Sequence, residues 1–141
     1  MDYTALAEDL LQTRTSMSQM TVERQMSKMM KGEIFLLSYL ASHNNQAYPK
    51  ELSKGMKVST ARIATILNHL EGQKLITRTT DAEDNRQIIV TLTDAGMRIA
   101  EEYRAQMLDC LVRMLELLGP EDAREYVRLQ KKLLQVFAAQ R

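Results

Sequence analysis

The chain has 141 residues, of which 45 % are apolar and 26 % are charged, and its formal net charge is +1. This composition is typical of a globular domain that buries about two thirds of the surface of its unfolded chain, and it argues against intrinsic disorder. Charged residues among the first thirty exclude a signal peptide, and no run of about 18 apolar residues predicts a membrane span. The single cysteine, Cys110, is typical of a reducing compartment. We therefore expect a cytoplasmic protein.

The first residues predict an amphipathic helix. Apolar side chains recur every three or four residues from Tyr3 to Met17, so the helix is expected to span about Asp2 to Ser16. Five methionines then fall between positions 17 and 30. Flexible methionine side chains commonly fill gaps between helices, and the alternative is that they line an adaptable apolar pocket. The spacing of these methionines does not separate the two interpretations.

The next stretch has the pattern of two helices joined by a tight turn. Residues 32–43 are apolar on almost every side, which predicts a buried helix. Pro49 suits the first position of a short helix, PKELSK, and Gly55 is expected to end that helix with a positive φ. Ser59 provides an N-cap hydroxyl for the following helix, from Thr60 to about Gln73.

This following helix has two distinct faces. Its core face is marked by apolar residues at helical spacing, Ile63, Ile66, Leu67 and Leu70. Its outer face carries short polar side chains and one long cation: Ser59 at the leading end, Thr60, Arg62, Thr65 and His69, with Asn68 nearer the flank. Residues 46–79, here called the basic segment, contain six Lys or Arg and two Glu, a local charge of +4 that leaves −3 for the rest of the chain. Such a concentration of positive charge favours nucleic acid as a partner.

Two short strands and two long helices complete the pattern. Leu75–Thr79 and Gln87–Leu92 are rich in β-branched residues, and the polar tip of the loop between them is expected to project into solvent. Thr93 can cap a helix that runs to about Leu118, where glycine and proline interrupt it. The last helix carries an apolar stripe at Tyr126, Leu129, Leu133, Val136 and Phe137. These long stripes need a partner to cover them, and a two-fold homodimer is the simplest source.

Catalytic and metal-binding patterns are scarce. The two histidines, His43 and His69, lack a second ligand at metal-binding spacing, and no phosphate loop or nucleophile elbow occurs. His43 is interpreted as a helix-end or packed imidazole, and Cys110 as a small buried apolar residue rather than a redox sensor. We therefore expect no enzyme, no metal and no cofactor.

The loop between the strands carries the most specific motif. It reads R-x-x-D-x-x-D-x-R followed by V-x-L-T-x-x-G, at Arg78, Asp81, Asp84, Arg86, Val90, Leu92, Thr93 and Gly96. Together with the helical flanks, this motif resembles the MarR family of bacterial transcriptional regulators. The resemblance implies a mainly α fold with a small β wing. In it, residues 32–93 form a winged helix-turn-helix, with the recognition helix at about 59–73 and the wing at about 75–92, and residues 1–31 and 94–141 form a helical dimerisation region.

The resemblance also implies contacts with double-stranded DNA. The second helix of the pair would enter the major groove, where the DNA-binding side chains would be Lys57, Ser59, Thr60, Arg62, Thr65 and His69. Arg86 would reach the minor groove, held by Asp84. The family pattern usually has arginine where this chain has Thr65, so base preference does not transfer. Its usual glycine after the recognition helix falls at Lys74, with a glycine instead at Gly72, so the turn into the wing is expected to differ.

The functional expectation is a homodimeric repressor that binds an inverted repeat and is released by a small ligand. The family resemblance implies a ligand site between the winged region and the dimer helices, for which the candidate residues are Met17, Met20, Met29, Met30 and Tyr39. The alternative is a winged-helix module that binds protein instead of DNA. That alternative would be favoured if acidic residues folded against the basic segment and neutralised it.

Overall fold

The computed structural model describes residues 1–21, 23–24 and 32–140, which form a mainly helical chain with a small three-stranded wing. The elements agree with the predicted order: α1 Tyr3–Met17, α2 Gly32–Ser42, β1 Gln46–Ala47, α3 Pro49–Met56, α4 Thr60–Gly72, β2 Ile76–Thr80, β3 Ile88–Leu92, α5 Asp94–Leu118 and α6 Pro120–Ala139. The chain divides into two compact units, residues 1–105 and 106–141. The predicted mainly α fold with a β wing is confirmed.

Residues 32–93, here called the winged module, enclose a continuous apolar core. The helical stripe of α4 packs there with three leucines of α2, Leu52 of α3 and the inward side chains of the strands. The fully buried side chains are Leu36, Leu37, Leu40, Leu52, Ile63, Leu70, Ile76 and Val90. Because the apolar face of α4 packs against this core, its opposite face is exposed to solvent.

The wing is an antiparallel sheet with the strand order β1, β3, β2. Strand β2 pairs with β3 from Ile76 opposite Leu92 to Thr80 opposite Ile88. The pattern of β-branched residues did not predict β1, because that strand consists of only Gln46 and Ala47. Asn45 precedes β1 with a φ of 64°, a left-handed conformation that asparagine tolerates, and its carbonyl accepts the Leu92 N–H at 2.8 Å.

The prediction that Gly55 ends its helix was wrong. Helix α3 continues to Met56, and Lys57 takes the left-handed conformation with a φ of 55°. Gly55 lies within the helix, where a Cβ would be 2.7 Å from Cε2 of the Tyr39 ring. The glycine therefore permits close packing of α3 on α2 rather than a chain reversal.

The start of α5 is held against the end of the recognition helix. The Thr93 hydroxyl donates to the Lys74 carbonyl at 2.8 Å and accepts the Gly96 N–H at 3.1 Å, as the predicted cap requires. A Cβ on Gly96 would lie 2.2 Å from the Leu75 carbonyl oxygen. This junction therefore requires glycine at position 96.

Helices α1 and α6 differ from the winged module because neither contains a buried residue. Their apolar side chains remain exposed, for example 53 % at Leu6 and 45 % at Leu133. Within the described residues, no helix is long and apolar enough to cross a membrane.

Candidate nucleic-acid interface

Helix α4, which the sequence predicts to be the recognition helix, and the residues just before it expose all of their predicted DNA-contacting side chains. Ser59 caps the helix, with its hydroxyl accepting the Arg62 N–H at 3.1 Å. Because the apolar stripe faces the core, the polar residues are turned outward: Lys57, Ser59, Thr60, Arg62, Thr65 and His69 are all exposed. The small Ala61 and Ala64 lie among them and are also exposed, which lets another surface approach the helix backbone closely.

Besides Ser59, two of these side chains already have partners within the chain, Thr65 and His69. The Thr65 hydroxyl donates to the Ala61 carbonyl at 3.1 Å, which leaves its oxygen free to accept a hydrogen bond. His69 Nδ1 bonds to the Glu33 carboxylate at the start of α2, and the His69 side chain is 57 % exposed. The imidazole is therefore held by one nitrogen and open on the other side.

The wing presents Arg86 at its tip. Its side chain is 95 % exposed, and its Nε lies 3.6 Å from Asp84 Oδ1. The same carboxylate oxygen accepts the Arg86 backbone N–H at 3.1 Å. Asp84 thus contacts both the backbone and the guanidinium of Arg86.

The base of the wing contains a buried carboxylate. Asp81 is 7 % exposed, accepts the Tyr48 hydroxyl at 2.7 Å and accepts the Glu83 N–H at 3.0 Å. The Tyr48 hydrogen bond, followed by that of Glu83, lowers the pKa of Asp81, and the hydrogen bond to Asp81 raises the pKa of Tyr48. Asp81 is buried because Tyr48 satisfies its carboxylate, and the pair ties the wing to the start of α3. No pattern in the sequence identified Tyr48, because it lies 33 residues from its partner.

A second polar connection joins the recognition helix to strand β2. Arg78 donates from Nε to Glu71 Oε2 at 3.2 Å and from Nη2 to Glu71 Oε1 at 3.0 Å. Nη2 also donates to Asn68 Oδ1 at 2.8 Å. These three residues are here called the Arg78 clamp. The hydrogen bond from Arg78 lowers the pKa of Glu71, so the pair is charged at neutral pH.

The candidate ligand-pocket residues are only partly covered by the structure. Met17 and Met20 are 39 % and 59 % exposed, and Met29 and Met30 lie outside the described residues. The Tyr39 ring stacks on His43 with ring centroids 3.9 Å apart, and His43 Nδ1 bonds to the Tyr39 carbonyl at 2.7 Å. His43 is thus the packed helix-end imidazole that was predicted.

Other chemistry is limited in the part of the chain that the structure describes. No group of three or more His, Cys, Asp or Glu side chains there is arranged to hold a metal ion. Cys110 is buried, as predicted, with Arg113 Nη2 at 3.9 Å from its sulfur.

Comparison with known proteins gives a consistent result. A family model described as "Transcriptional regulator SarA/Rot" matches residues 19–103. Over 104 residues the chain is 31 % identical to the HTH-type transcriptional regulator YwhA of Bacillus subtilis, covering 72 % of each chain. It is 29 % identical over 103 residues to the HTH-type transcriptional repressor MdtR of the same organism, covering 73 % of this chain and 66 % of MdtR. Its fold is similar to that of Streptococcus pneumoniae FabT crystallised in complex with DNA, with a TM-score of 0.74, 17 % identity and coverage of 99 % and 100 % of the two chains.

Proposed function

Because the chain belongs to the SarA/Rot and MarR group of winged helix-turn-helix transcriptional regulators, we propose that it is a homodimeric repressor that binds an inverted-repeat operator. The group consists of DNA-binding regulators and not of enzymes. The observation that carries the proposal is the pairing of an outward polar helix face with a projecting wing arginine, both built on the core of one module.

The two elements suit the two grooves of B-DNA. The major groove is wide enough for a helix and displays a distinct hydrogen-bonding pattern for each base pair, so α4 is assigned to it. A narrow minor groove concentrates negative potential and attracts arginine, so Arg86 is assigned there with Asp84 as its support. The relative FabT, which has this fold, was crystallised with DNA.

The basic segment stays available for DNA phosphates. Its Arg78 is paired with Glu71, which also belongs to the segment, so that pair leaves the local charge at +4. No carboxylate among the described residues forms an ion pair with the segment's other cations, Lys50, Lys54, Lys57, Arg62 and Lys74. This observation favours DNA over the alternative of a winged module that binds protein.

The helices on either side of residues 32–93 supply the dimerisation region in this proposal. No residue of α1 or α6 is buried in the part of the chain that the structure describes, which is unusual for long amphipathic helices, and a second copy of the chain would cover their apolar faces. Two-fold symmetry then sets the two recognition helices about 34 Å apart, one turn of DNA, and matches an inverted repeat.

Repression and ligand release complete the proposal. The relative MdtR is described as a repressor, and a dimer bound across an operator excludes other proteins from the same DNA. Methionine-rich surfaces adapt to apolar ligands, which supports an effector site involving Met17, Met20, Met29, Met30 and Tyr39. A ligand bound there would lower DNA affinity by changing the spacing of the recognition helices.

Selection of bound sequences from a randomised duplex pool tests the function. We expect enrichment of an inverted repeat whose half-sites are centred about one helical turn apart. Gel shifts of the enriched duplex should weaken as salt increases, because phosphate contacts release counterions. A protein that enriches no sequence, or whose binding is insensitive to salt, is not the operator-binding repressor proposed.

A further inference from the structure

Asn68 lies near the centre of the outward face of the recognition helix, although the sequence pattern assigned it to the flank. At about 100° per residue, Asn68 falls within about 30° of the direction opposite the core stripe, as Thr65 does. The same geometry places Arg62 and His69 nearer the sides of the helix. Asn68 is exposed and follows the small Ala64 by one helical turn. Its amide is therefore placed where a groove-bound helix meets the DNA.

The Arg78 clamp fixes which atom of this amide faces outward. Arginine carries hydrogen-bond donors and no acceptor, so the Asn68 atom that faces Arg78 Nη2 at 2.8 Å must be the carbonyl oxygen, Oδ1. Glu71 in turn holds Arg78 through two hydrogen bonds, at 3.0 and 3.2 Å. The amide nitrogen, Nδ2, donates no hydrogen bond to another of the described residues, so its two hydrogens are available to an acceptor outside the chain.

We infer that Asn68 is a DNA-contacting residue whose amide is polarised by Arg78 so that it donates hydrogen bonds to an acceptor on the DNA. Asparagine reads adenine by presenting Oδ1 and Nδ2 together to the adenine edge. With Oδ1 turned toward Arg78, Asn68 presents donors only, which suits N7 and O6 of guanine or O4 of thymine in the major groove, or a phosphate oxygen. Adenine suits it less, because the N6 amino group beside adenine N7 is itself a donor and needs the acceptor that Arg78 occupies. The inference rests on the DNA binding proposed above.

In this arrangement Arg78 and Glu71 are positioning residues. Neither needs to touch DNA, because their effect passes through the orientation of the Asn68 amide. Since Arg78 belongs to strand β2 of the wing, the clamp also links the reading of bases by α4 to the placement of the wing. Loss of Arg78 should therefore change which base is accepted and not only how tightly DNA binds.

The experiment compares base preference among four proteins: the full-length chain, Asn68→Ala, Arg78→Met and Gln73→Ala. Gln73→Ala is the matched control, since it removes an exposed amide near the end of the same helix without a contact to the clamp. Each protein selects sequences from one randomised duplex pool. Thermal unfolding of all four checks that the variants are folded.

We expect the unaltered protein to prefer guanine or thymine at one base pair in each half-site. Asn68→Ala should lose about tenfold in discrimination at that base pair only. Arg78→Met should admit adenine at the same base pair, because the Asn68 amide is then free to turn. Gln73→Ala should keep the original preference. If the clamp only stabilised the fold, Arg78→Met would weaken binding without changing which base is preferred.

A contact between Asn68 and a DNA phosphate, instead of a base, would give a different result in the same experiment. If Asn68 donates to the backbone, Asn68→Ala should bind every sequence more weakly by the same factor. Ethylation of one phosphate should then weaken the unaltered protein but not the variant. Unchanged affinity and preference in Asn68→Ala overturn the inference, and an unchanged preference in Arg78→Met, where a base preference exists, overturns the positioning role. Failure of the unaltered protein to enrich any sequence instead counts against the operator-binding function.

Discussion

The winged module and the helices that flank it use the same apolar periodicity with opposite results. In α4 the stripe is buried, with 1 % exposure at Ile63 and Leu70. In α6 the stripe at the same spacing remains open, with 45 % exposure at Leu133 and 63 % at Phe137. The pattern thus predicts that a face will be covered but not whether the cover comes from the same chain.

The polar contacts of the winged module join different elements, whereas the ion pair of α6 lies within one helix. Tyr48 and Asp81 join positions 33 residues apart, and Arg78 joins β2 to the recognition helix. The ion pair on α6, Arg128 with Glu125, connects residues three positions apart on one helix. The winged module is therefore cross-linked between elements, whereas α6 relies on a local pair that is worth little stability.

The largest expected effect comes from charging the open face of α6. Burying a leucine is worth about 1.5–3 kcal/mol, and a two-fold interface contains each residue twice. Leu133→Glu should therefore weaken dimer association by at least about a hundredfold. Sedimentation equilibrium should show monomer at concentrations at which the unaltered chain forms the proposed dimer, and operator binding should fall as dimer association falls.

The adjacent Leu134→Glu is the matched control for that experiment. Leu134 is 69 % exposed and lies outside the α6 stripe, so the same charge should leave association nearly unchanged. If both variants dimerise like the unaltered chain, the dimerisation face has been assigned to the wrong side of α6.

For the winged module, we expect the largest loss of stability on substitution of Gly96. A Cβ there would meet the Leu75 carbonyl oxygen at 2.2 Å and Leu92 Cδ2 at 2.9 Å. Gly96→Ala should reduce the free energy of unfolding by about 1–3 kcal/mol or more, because the backbone must shift to make room. Thermal denaturation would measure the loss.

Gly72→Ala separates that clash from the general effect of replacing glycine. Apart from its chain neighbours and its own helix backbone, a Cβ at position 72, at the end of α4, would meet no atom of the described residues within 4 Å. Alanine should be neutral or stabilise the helix by up to about 1 kcal/mol. Equal melting temperatures for the two variants would refute the close contact at the start of α5.

Arg86→Ala should weaken operator binding without altering the fold. The side chain is 95 % exposed, so its loss leaves the core untouched. We expect a cost of about 1–3 kcal/mol in binding. Titration by fluorescence anisotropy would measure it, with Arg124→Ala on α6 as a control that removes the same charge. A loss no greater than that of Arg124→Ala would dismiss the assignment of the wing to the minor groove.

The Arg78 clamp should make the stability of the module depend on pH in acid. The pKa of Glu71 is lowered from its ordinary value of 4.5. A carboxylate with a lowered folded-state pKa stabilises the fold above its unfolded pKa, and this contribution disappears as pH falls through the lowered value. The difference in free energy of unfolding between the unaltered chain and Glu71→Gln should be constant above about pH 5 and should vanish in stronger acid.

Urea denaturation at a series of pH values would follow this difference. Glu101→Gln on α5 serves as the control, because Glu101 is exposed and has no ion-pair partner among the described residues. The same pH dependence in both pairs of proteins would mean that the clamp contributes nothing specific.

Much of the fold was predictable because local chemistry determines it. Ser59 and Thr93 have the side chains that cap helices, and the predicted bounds of α4 and α5 agree with the structure within one residue. The stripe of α4 likewise identified its buried face. These features depend on neighbours within one helical turn, which a sequence displays directly.

The features that were missed depend on residues distant in sequence. Gly55 was expected to reverse the chain, but the ring of Tyr39 determines the need for glycine there. The burial of Asp81 was not predicted, because it depends on the hydroxyl of Tyr48. The connection of Asn68 to Arg78 crosses from helix to strand in the same way. No spacing rule relates such pairs, because the tertiary fold brings them together.

The smallest predicted effect concerns Lys74, where the family pattern has glycine. Lys74 takes a φ of 62°, so the turn into the wing is left-handed although its residue is lysine, and Gly72 ends α4 without a positive φ. A left-handed residue other than glycine costs about 1–2 kcal/mol, and the greater freedom of glycine in the unfolded chain offsets about 0.5–1 kcal/mol of that. Lys74→Gly should therefore stabilise the winged module by about 0–1.5 kcal/mol. Lys54→Gly inside α3 should instead destabilise it by about 1 kcal/mol. Both variants remove one cation from the basic segment, so the charge change is the same in each. Opposite shifts in melting temperature would therefore come from the backbone conformation at the two positions. Equal decreases in melting temperature would show that the turn does not strain lysine.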